Sequence, residues 1–128
     1  MNANNGYRRR RQLGFTLLEL MIAVGIIAIV AGIGIPMYSG YVQNSREAKL
    51  INNISTVEVF QERERLRTGS YATGLANEAA ITTAIGWDPQ TDDGTTYAIA
   101  ANGTGYQVTA TDAEGLSVCM NYPQKTRC

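Results

Sequence analysis

The feature that most constrains this chain is a run of apolar side chains from Phe15 to Ile35. The run contains 21 residues and one charge, that of Glu19. As a helix with a rise of about 1.5 Å per residue it extends about 31 Å, which matches the hydrocarbon core of a bilayer. An ionised acid in such a segment costs about 2.5 to 3.5 kcal/mol on insertion scales, so we expect Glu19 to have a function.

The residues before the run are polar and then basic, and residues 8–11 hold four of the eleven basic side chains. A basic flank stays on the cytoplasmic side, which predicts a single-pass inner-membrane segment with its amino terminus in the cytoplasm. A secretory signal peptide would have a shorter apolar core and small residues at a cut on the far side. A twin-arginine signal would be less apolar, and a plain membrane anchor would leave Glu19 unexplained.

This part of the sequence resembles the class III signal of type IV prepilins and pseudopilins. Basic residues precede GFTLLE at residues 14–19, and the apolar helix that follows ends at Pro36. The resemblance implies that a prepilin peptidase cuts between Gly14 and Phe15, removing the leader 1–14, and methylates the new amino terminus of Phe15. The motif covers about the first 40 residues, and beyond them the likeness is to an architecture rather than a motif.

The resemblance also implies an assembly role for Glu19. Cleavage leaves a charged amine on Phe15, and the Glu19 carboxylate of one subunit can pair with that amine on a neighbouring helix. Two buried unpaired charges cost more than one buried pair, so a bundle of such helices is favoured over a lone anchor in lipid. The alternative is that Glu19 reaches the lipid headgroups from its place near the helix end.

Pro36 is the predicted break of this helix. Proline removes a backbone hydrogen bond, and Gly32 and Gly34 lie just before it. In pilins the helix segment before such a proline can melt in the filament, although close helix packing would use the same small residues. We assign the transmembrane or filament-core helix to residues 15–36.

The helix is predicted to continue over residues 37–67 and to stop at Gly69. Its apolar positions recur at helical spacing, at Leu50, Ile54, Val57 and Phe60. This part of the sequence predicts one apolar helical face that supports a folded domain.

The rest of the chain is interpreted as a loop followed by a sheet. Residues 68–95 are rich in Gly, Thr, Asn and Asp, which indicates a connecting loop that Trp87 fixes to the core. Residues 96–128 predict an antiparallel meander of three strands. One face of the third strand is directed at the helix, through Leu116, Val118, Met120 and Tyr122. The expected α+β fold is that of type IV pilins, a long N-terminal helix whose second half packs against a small β-meander.

Cys119 and Cys128 are the two cysteines of the chain. In a protein that leaves the cytoplasm two thiols more often form one disulfide, the alternative being two free structural cysteines. A disulfide would close a loop of eight intervening residues and hold the tail 122–127 against the outer side of the sheet. In pilins a disulfide of this kind encloses a variable surface loop, which here carries Lys125 and Arg127.

The composition argues against catalysis and against most ligand sites. The chain has no histidine, and it shows neither metal-ligand spacing nor a phosphate-binding glycine loop. We therefore expect no enzyme activity, cofactor or metal. Without the arginine block the chain carries seven basic and eleven acidic residues, which leaves nucleic acid a possible partner that the charge does not favour.

The leading hypothesis is a structural subunit of a type IV pilus, and the short body favours a minor pilin. Such a subunit primes or modulates filament assembly for motility, adhesion or DNA uptake. The resemblance implies an inner-membrane location before assembly and an extracellular pilus after it. Its expected partners are other pilin subunits in a helical filament, the prepilin peptidase and the pilus assembly machinery.

Three alternatives stay open at this point. The first is a pseudopilin of a type II secretion system, and the second is a pilus-associated minor pilin that binds DNA or a surface. The third is a membrane-anchored periplasmic protein with no filament role.

Overall fold

The computed structural model describes residues 14–90 and 92–128. Its elements in chain order are α1 (Leu17–Thr68), α2 (Glu78–Ile85), β1 (Thr96–Asn102), β2 (Gly105–Thr111), β3 (Ser117–Tyr122) and β4 (Thr126–Arg127). The chain divides between Ser39 and Gly40 into two compact units. We call residues 14–39 the amino-terminal unit and residues 40–128 the body. The predicted α+β class, a long N-terminal helix with a small antiparallel sheet, is confirmed.

The amino-terminal unit is helical from Leu17 and exposes its apolar side chains. Its large apolar side chains, from Phe15 to Tyr38, are between 56% and 86% exposed. The most apolar 18-residue window of α1 has a mean hydropathy of 2.5, so this helix is long and apolar enough to cross a membrane. No part of this window is buried in the structure.

The predicted helix break at Pro36 is corrected by the structure, because α1 continues through this residue. A proline removes one backbone donor, and its ring would crowd the carbonyl four residues earlier, which here belongs to Gly32. The Pro36 carbonyl accepts a hydrogen bond of 2.9 Å from the Ser39 hydroxyl. Losing one bond does not end a helix of 52 residues that has intact turns before and after the proline.

In the body, α1 supplies one wall of the hydrophobic core. Leu50, Ile54 and Val57 are buried as predicted, whereas Phe60 is half-buried and Gln61 takes the next fully buried position. The helix ends at Thr68, and the next residue, Gly69, has a φ of 84° and donates its N–H to the Arg65 carbonyl. Glycine adopts this left-handed conformation without strain, so the predicted stop is confirmed.

The segment interpreted as a connecting loop contains a helix, α2. Asn77 caps its N-terminus by accepting from the Ala80 N–H at 2.9 Å, and Gly86 ends it with a φ of 73°. Eight residues with two β-branched threonines give a weak helical signal, so the sequence pattern missed it. Trp87 follows at 2% exposure and donates its indole N–H to the Thr56 hydroxyl at 2.8 Å, which confirms its predicted anchoring role.

The sheet has four antiparallel strands in the order β1-β2-β3-β4. The first three are the predicted meander, and Val118 and Tyr122 of β3 are buried in the core. The fourth strand corrects the predicted tail. Residues Thr126 and Arg127 pair with β3 at the sheet edge instead of lying on its outer face, because the chain reverses directly after Tyr122 and unpaired strand groups at an edge accept another strand.

Candidate functional site

At the start of α1, the predicted assembly residue Glu19 contacts Thr16. The Glu19 N–H donates to the Thr16 hydroxyl at 3.2 Å, and the Thr16 N–H donates to a Glu19 carboxylate oxygen at 3.4 Å. This reciprocal pattern is a capping box, which satisfies two backbone donors that the first helical turn leaves free. The sequence contains this T-x-x-E spacing, but the capping box was not predicted, because Glu19 was interpreted only as a charge within an apolar segment.

The predicted processing residues lie just before this cap. Gly14 and Phe15 are exposed and precede the first helical residue, Leu17. The basic block 8–11, and the rest of the predicted leader before Gly14, lie outside the described residues.

A disulfide closes the tail of the body between β3 and the last residue. The structure joins Cys119 to Cys128 with Cα atoms 5.4 Å apart, and the Cys128 N–H donates to the Cys119 carbonyl at 3.3 Å. Between them, Lys125 has a φ of 57° at the turn from β3 to β4. The disulfide and the strand pairing therefore fix the backbone of this tail at both ends.

Both basic side chains of the tail pair with carboxylates on α1. The Lys125 amine lies 3.0 Å from a Glu58 carboxylate oxygen, and the Arg127 guanidinium pairs with Glu47. The two basic side chains are about 60% exposed, whereas the two acids are less than 30% exposed. The sequence placed these two cations in the loop between the cysteines but did not indicate their partners, because nothing in the pattern places the tail beside α1.

A cleft of about 490 Å³ lies at one end of the body. It combines one cation with hydroxyl groups and exposed backbone, and its lining includes Arg65, Ser70, Tyr71, Thr73, Thr104 and Pro123. Gly69, Gly103 and Gly105 also line it, so the backbone of the α1 end and of the β1–β2 turn borders the open space. In the sequence, Gly69 indicated only the end of the helix, and no pattern indicated a cleft.

Gly105 shows how closely the cleft wall is packed. A Cβ atom at this position would lie 2.0 Å from the Tyr122 carbonyl oxygen, so only glycine fits where β2 begins. The neighbouring Tyr106 ring stacks on Tyr122 at 5.2 Å and lies 4.9 Å from the Tyr71 ring. Three tyrosine rings thus pack together at the cleft, and Tyr71 among them lines it.

The charge on the cleft rim is held by an ion pair. The Arg65 guanidinium pairs with Glu62 at 2.8 Å and lies over the Tyr71 ring, 5.5 Å from its centre. The Tyr71 hydroxyl donates to the second Glu62 oxygen at 2.6 Å. This hydrogen bond, together with the one from Arg65, lowers the pKa of Glu62 below its ordinary value, so the carboxylate stays charged.

The charged side chains of the body are largely neutralised by one another. Six of the seven cations within residues 14–90 and 92–128 form ion pairs with a carboxylate. The exception is Arg63, whose guanidinium donates to the Ile85 carbonyl at 2.6 Å and lies over the Phe60 ring. A partner with negative charge must therefore compete with a carboxylate for each of these six paired cations.

Comparison with known families accounts for most of the chain. A family model described as "Type IV minor pilin ComP, DNA uptake sequence receptor" matches residues 36–122, more than half of the chain. The chain belongs to this family of type IV minor pilins. A second model, the prokaryotic N-terminal methylation motif, matches residues 9–35 of the pilin.

Individual relatives are similar to this pilin over most of its length. A fimbrial protein of Pseudomonas aeruginosa is 33% identical over 110 residues, covering 85% of the pilin and 66% of the relative. A fimbrial protein of Dichelobacter nodosus is 35% identical over 118 residues, covering 90% of the pilin and 69% of the relative. In a second Pseudomonas aeruginosa fimbrial protein the matched part is 62% of the length, so the pilin spans slightly less than two thirds of these Pseudomonas relatives.

Family membership confirms the predicted class of the protein, since type IV pilins are structural subunits of pili that assemble with other pilin subunits. An apolar N-terminal helix also agrees with anchoring in a membrane before the subunit enters an extracellular pilus. The match to the minor pilin model ends at Tyr122. The tail with Lys125, Arg127 and Cys128 therefore lies outside the matched region.

Proposed function

We propose that this pilin is a minor subunit of a type IV pilus that binds double-stranded DNA with its body. The observation that carries the proposal is the match of residues 36–122 to a minor pilin family described as a DNA uptake sequence receptor. The acidic balance of the body argues against strong nonspecific binding, because affinity for DNA grows with the number of phosphates neutralised. Binding would then depend on a few donor groups in fixed positions and not on the net charge of the body.

The cleft at the end of the body supplies groups of the right kind. Arg65 offers a cation, Ser70, Thr73 and Thr104 offer hydroxyls, and the glycines expose backbone near the open space. Arginine, serine and threonine side chains and backbone N–H groups are among the donors that contact phosphate oxygens in protein–DNA complexes. We assign the phosphate-contacting surface to this cleft.

We also propose the processing steps that the sequence predicts. The peptidase cuts between Gly14 and Phe15, and the amine of Phe15 is then methylated. Support comes from the matched methylation motif and from a relative named prepilin peptidase-dependent protein D in Escherichia coli, which is 50% identical over 46 residues. Before assembly the subunit crosses the inner membrane once, with its amino terminus in the cytoplasm.

In the assembled pilus, Glu19 is proposed to pair with the Phe15 amine of a neighbouring subunit. The capping box does not prevent this, because the Thr16 N–H occupies one carboxylate oxygen of an exposed side chain. A carboxylate has two oxygens and accepts several hydrogen bonds at once. One side chain can therefore cap its own helix and bind the amine of another subunit.

The DNA-binding part of the proposal is tested by matched arginine variants. The full-length pilin is purified in nonionic detergent, with residues 8–11 changed to glutamine so that the leader cannot bind DNA. Fluorescence anisotropy then measures the Kd for a labelled duplex at 50 and 200 mM salt. Arg65→Gln is expected to weaken binding about 5- to 10-fold and to reduce the salt slope by about one phosphate contact.

Arg67→Gln is the control, because Arg67 also pairs with a glutamate three residues before it but does not line the cleft. It should weaken binding less than about twofold. Equal losses in the two variants would contradict the assignment of the cleft, and no duplex binding by the parent pilin would contradict the DNA-binding function.

A further inference from the structure

The tail between Cys119 and Cys128 presents cations that are paired but not buried. Lys125 is 62% exposed and Arg127 is 60% exposed, while their partners Glu58 and Glu47 are 29% and 26% exposed. Each pair thus has a more solvated cation and a more enclosed acid on α1. The cations have the greater freedom to leave.

The tail backbone is held whether or not these ion pairs form. The disulfide fixes Cys128, and Met120 and Asn121 of β3 pair with Arg127 and Thr126. Releasing a cation from α1 therefore requires rotation of a side chain and no movement of the strand. Such rotations of exposed side chains take picoseconds to nanoseconds, so they do not limit a binding reaction.

The tail also adjoins the cleft assigned to phosphate contact. Pro123 lines the cleft, and Lys125 follows two residues later, at most about 7 Å further along the chain. A phosphate backbone seated in the cleft would pass within reach of a lysine side chain at that position. The two acids that hold the tail cations would then compete with the phosphates for them.

Energetics favour exchange over permanent pairing. Exposed ion pairs contribute little to stability, so each is broken at small cost. A phosphodiester offers the same charge as the carboxylate and adds the release of condensed counterions from DNA. The carboxylate that loses its cation remains partly exposed and can be hydrated.

We propose that Lys125 and Arg127 bind DNA phosphates and that Glu58 and Glu47 pair with them in the DNA-free protein, so that DNA binds by replacing two carboxylates on α1. This inference rests on the proposed function, because it assigns further phosphate contacts to the same surface. The competition of the two carboxylates for the cations acts as a restraint on binding. The restraint lowers affinity for any duplex equally. Contacts elsewhere in the cleft consequently supply a larger share of the total affinity.

The test removes the restraint and leaves the cations in place. In the pilin with residues 8–11 changed to glutamine, the Kd for a duplex is measured for a Glu47→Gln, Glu58→Gln double variant. The expected result is binding about 3- to 10-fold tighter than the parent, since each exposed pair accounts for a small factor.

A second double variant controls for the loss of two negative charges. Asp88→Asn with Asp92→Asn changes the net charge equally, and within the described residues neither acid forms an ion pair with a cation. Its affinity should rise less than about twofold. Unfolding midpoints of all variants, followed by Trp87 fluorescence, verify that they are folded.

A third arm places the glutamate substitutions in a background with Lys125→Gln and Arg127→Gln. The gain should disappear there, because no cation remains to be released. The inference is overturned if the glutamate variant binds no tighter than the aspartate control, or if its gain survives without the two cations. Binding by the parent with either result leaves the proposed function intact, whereas no binding by any variant overturns both.

Discussion

The two units of this pilin differ in the burial of their apolar side chains. In the amino-terminal unit, Phe15 is 86% exposed and every large apolar side chain is more than half exposed. In the body, thirteen hydrophobic residues are at most 4% exposed and form one core cluster. The body buries its own hydrophobic side chains. The apolar side chains of the amino-terminal unit require lipid or other helices to cover them.

The units also differ in how they use charge. The amino-terminal unit contains one acidic and no basic side chain; the acid is Glu19, whose contacts are with its own first helical turn. The body contains seven cations, six of which pair with carboxylates inside the same unit. The comparison shows that the body buries its hydrophobic surface and pairs its charges within one fold, whereas the amino-terminal helix leaves its apolar side chains exposed.

Truncating one isoleucine in each unit tests this difference in burial. Ile54→Ala removes a fully buried side chain from the core, and we expect it to lower the free energy of unfolding by about 2 to 5 kcal/mol. Ile27→Ala, at a position 66% exposed, should change it by less than about 0.5 kcal/mol. Urea titration in detergent measures both, with the single tryptophan, Trp87, as the reporter; similar losses would refute the distinction.

The disulfide is expected to stabilise the body but not the amino-terminal unit. A closed loop of this size contributes about 2 to 3 kcal/mol in the chain-entropy model, so a Cys119→Ala, Cys128→Ala variant should lose that amount. Reduction of the parent should reproduce the loss, and the reductant should not affect the variant. Circular dichroism of the apolar helix in micelles should stay unchanged, and loss of its signal would link the two units.

The smallest effect concerns a single ion pair of the body. The hydrogen bond from Lys49 lowers the pKa of Asp93 to about 2. The folded pKa lies below the unfolded value of about 3.9, so this stabilisation is present above about pH 4 and is lost as the pH falls through about 2. Unfolding midpoints between pH 5 and 2 should therefore fall more in the parent than in Asp93→Asn. A parallel decline would show that the pair contributes nothing measurable.

Much of this architecture could be predicted from local patterns. Helical spacing placed Leu50, Ile54 and Val57 in the core, and period-two alternation placed Val118 and Tyr122 there as well. The stop at Gly69 followed from backbone sterics that act within a few residues. These features depend on neighbours in the sequence, which a pattern records.

The features that were missed depend on contacts far apart in the chain. Gln61 is fully buried because its amide donates to the Ala72 carbonyl and accepts from the Ala72 N–H, at 2.7 and 2.9 Å. A polar residue inside the apolar spacing gave no sign of this, so Phe60 was expected in its place. The partners of Lys125 and Arg127 were missed for the same reason, since only the folded tail brings them to α1.

The central claim is that the amino-terminal helix is an assembly element in which the charge of Glu19 acts between subunits. Glu19→Gln tests it most directly, because glutamine at this position preserves the capping box while removing the charge. Thr16→Val is the complementary control, since it removes the capping hydroxyl and keeps the carboxylate. Quantitative mass spectrometry compares the amount of each variant in the membrane with the amount in sheared pili.

We predict that Glu19→Gln reaches the membrane at the parent level and is reduced at least about tenfold in sheared pili, as expected when one member of a buried charge pair is lost. Thr16→Val should enter pili at close to the parent level. Incorporation of Glu19→Gln equal to that of the parent would contradict the account.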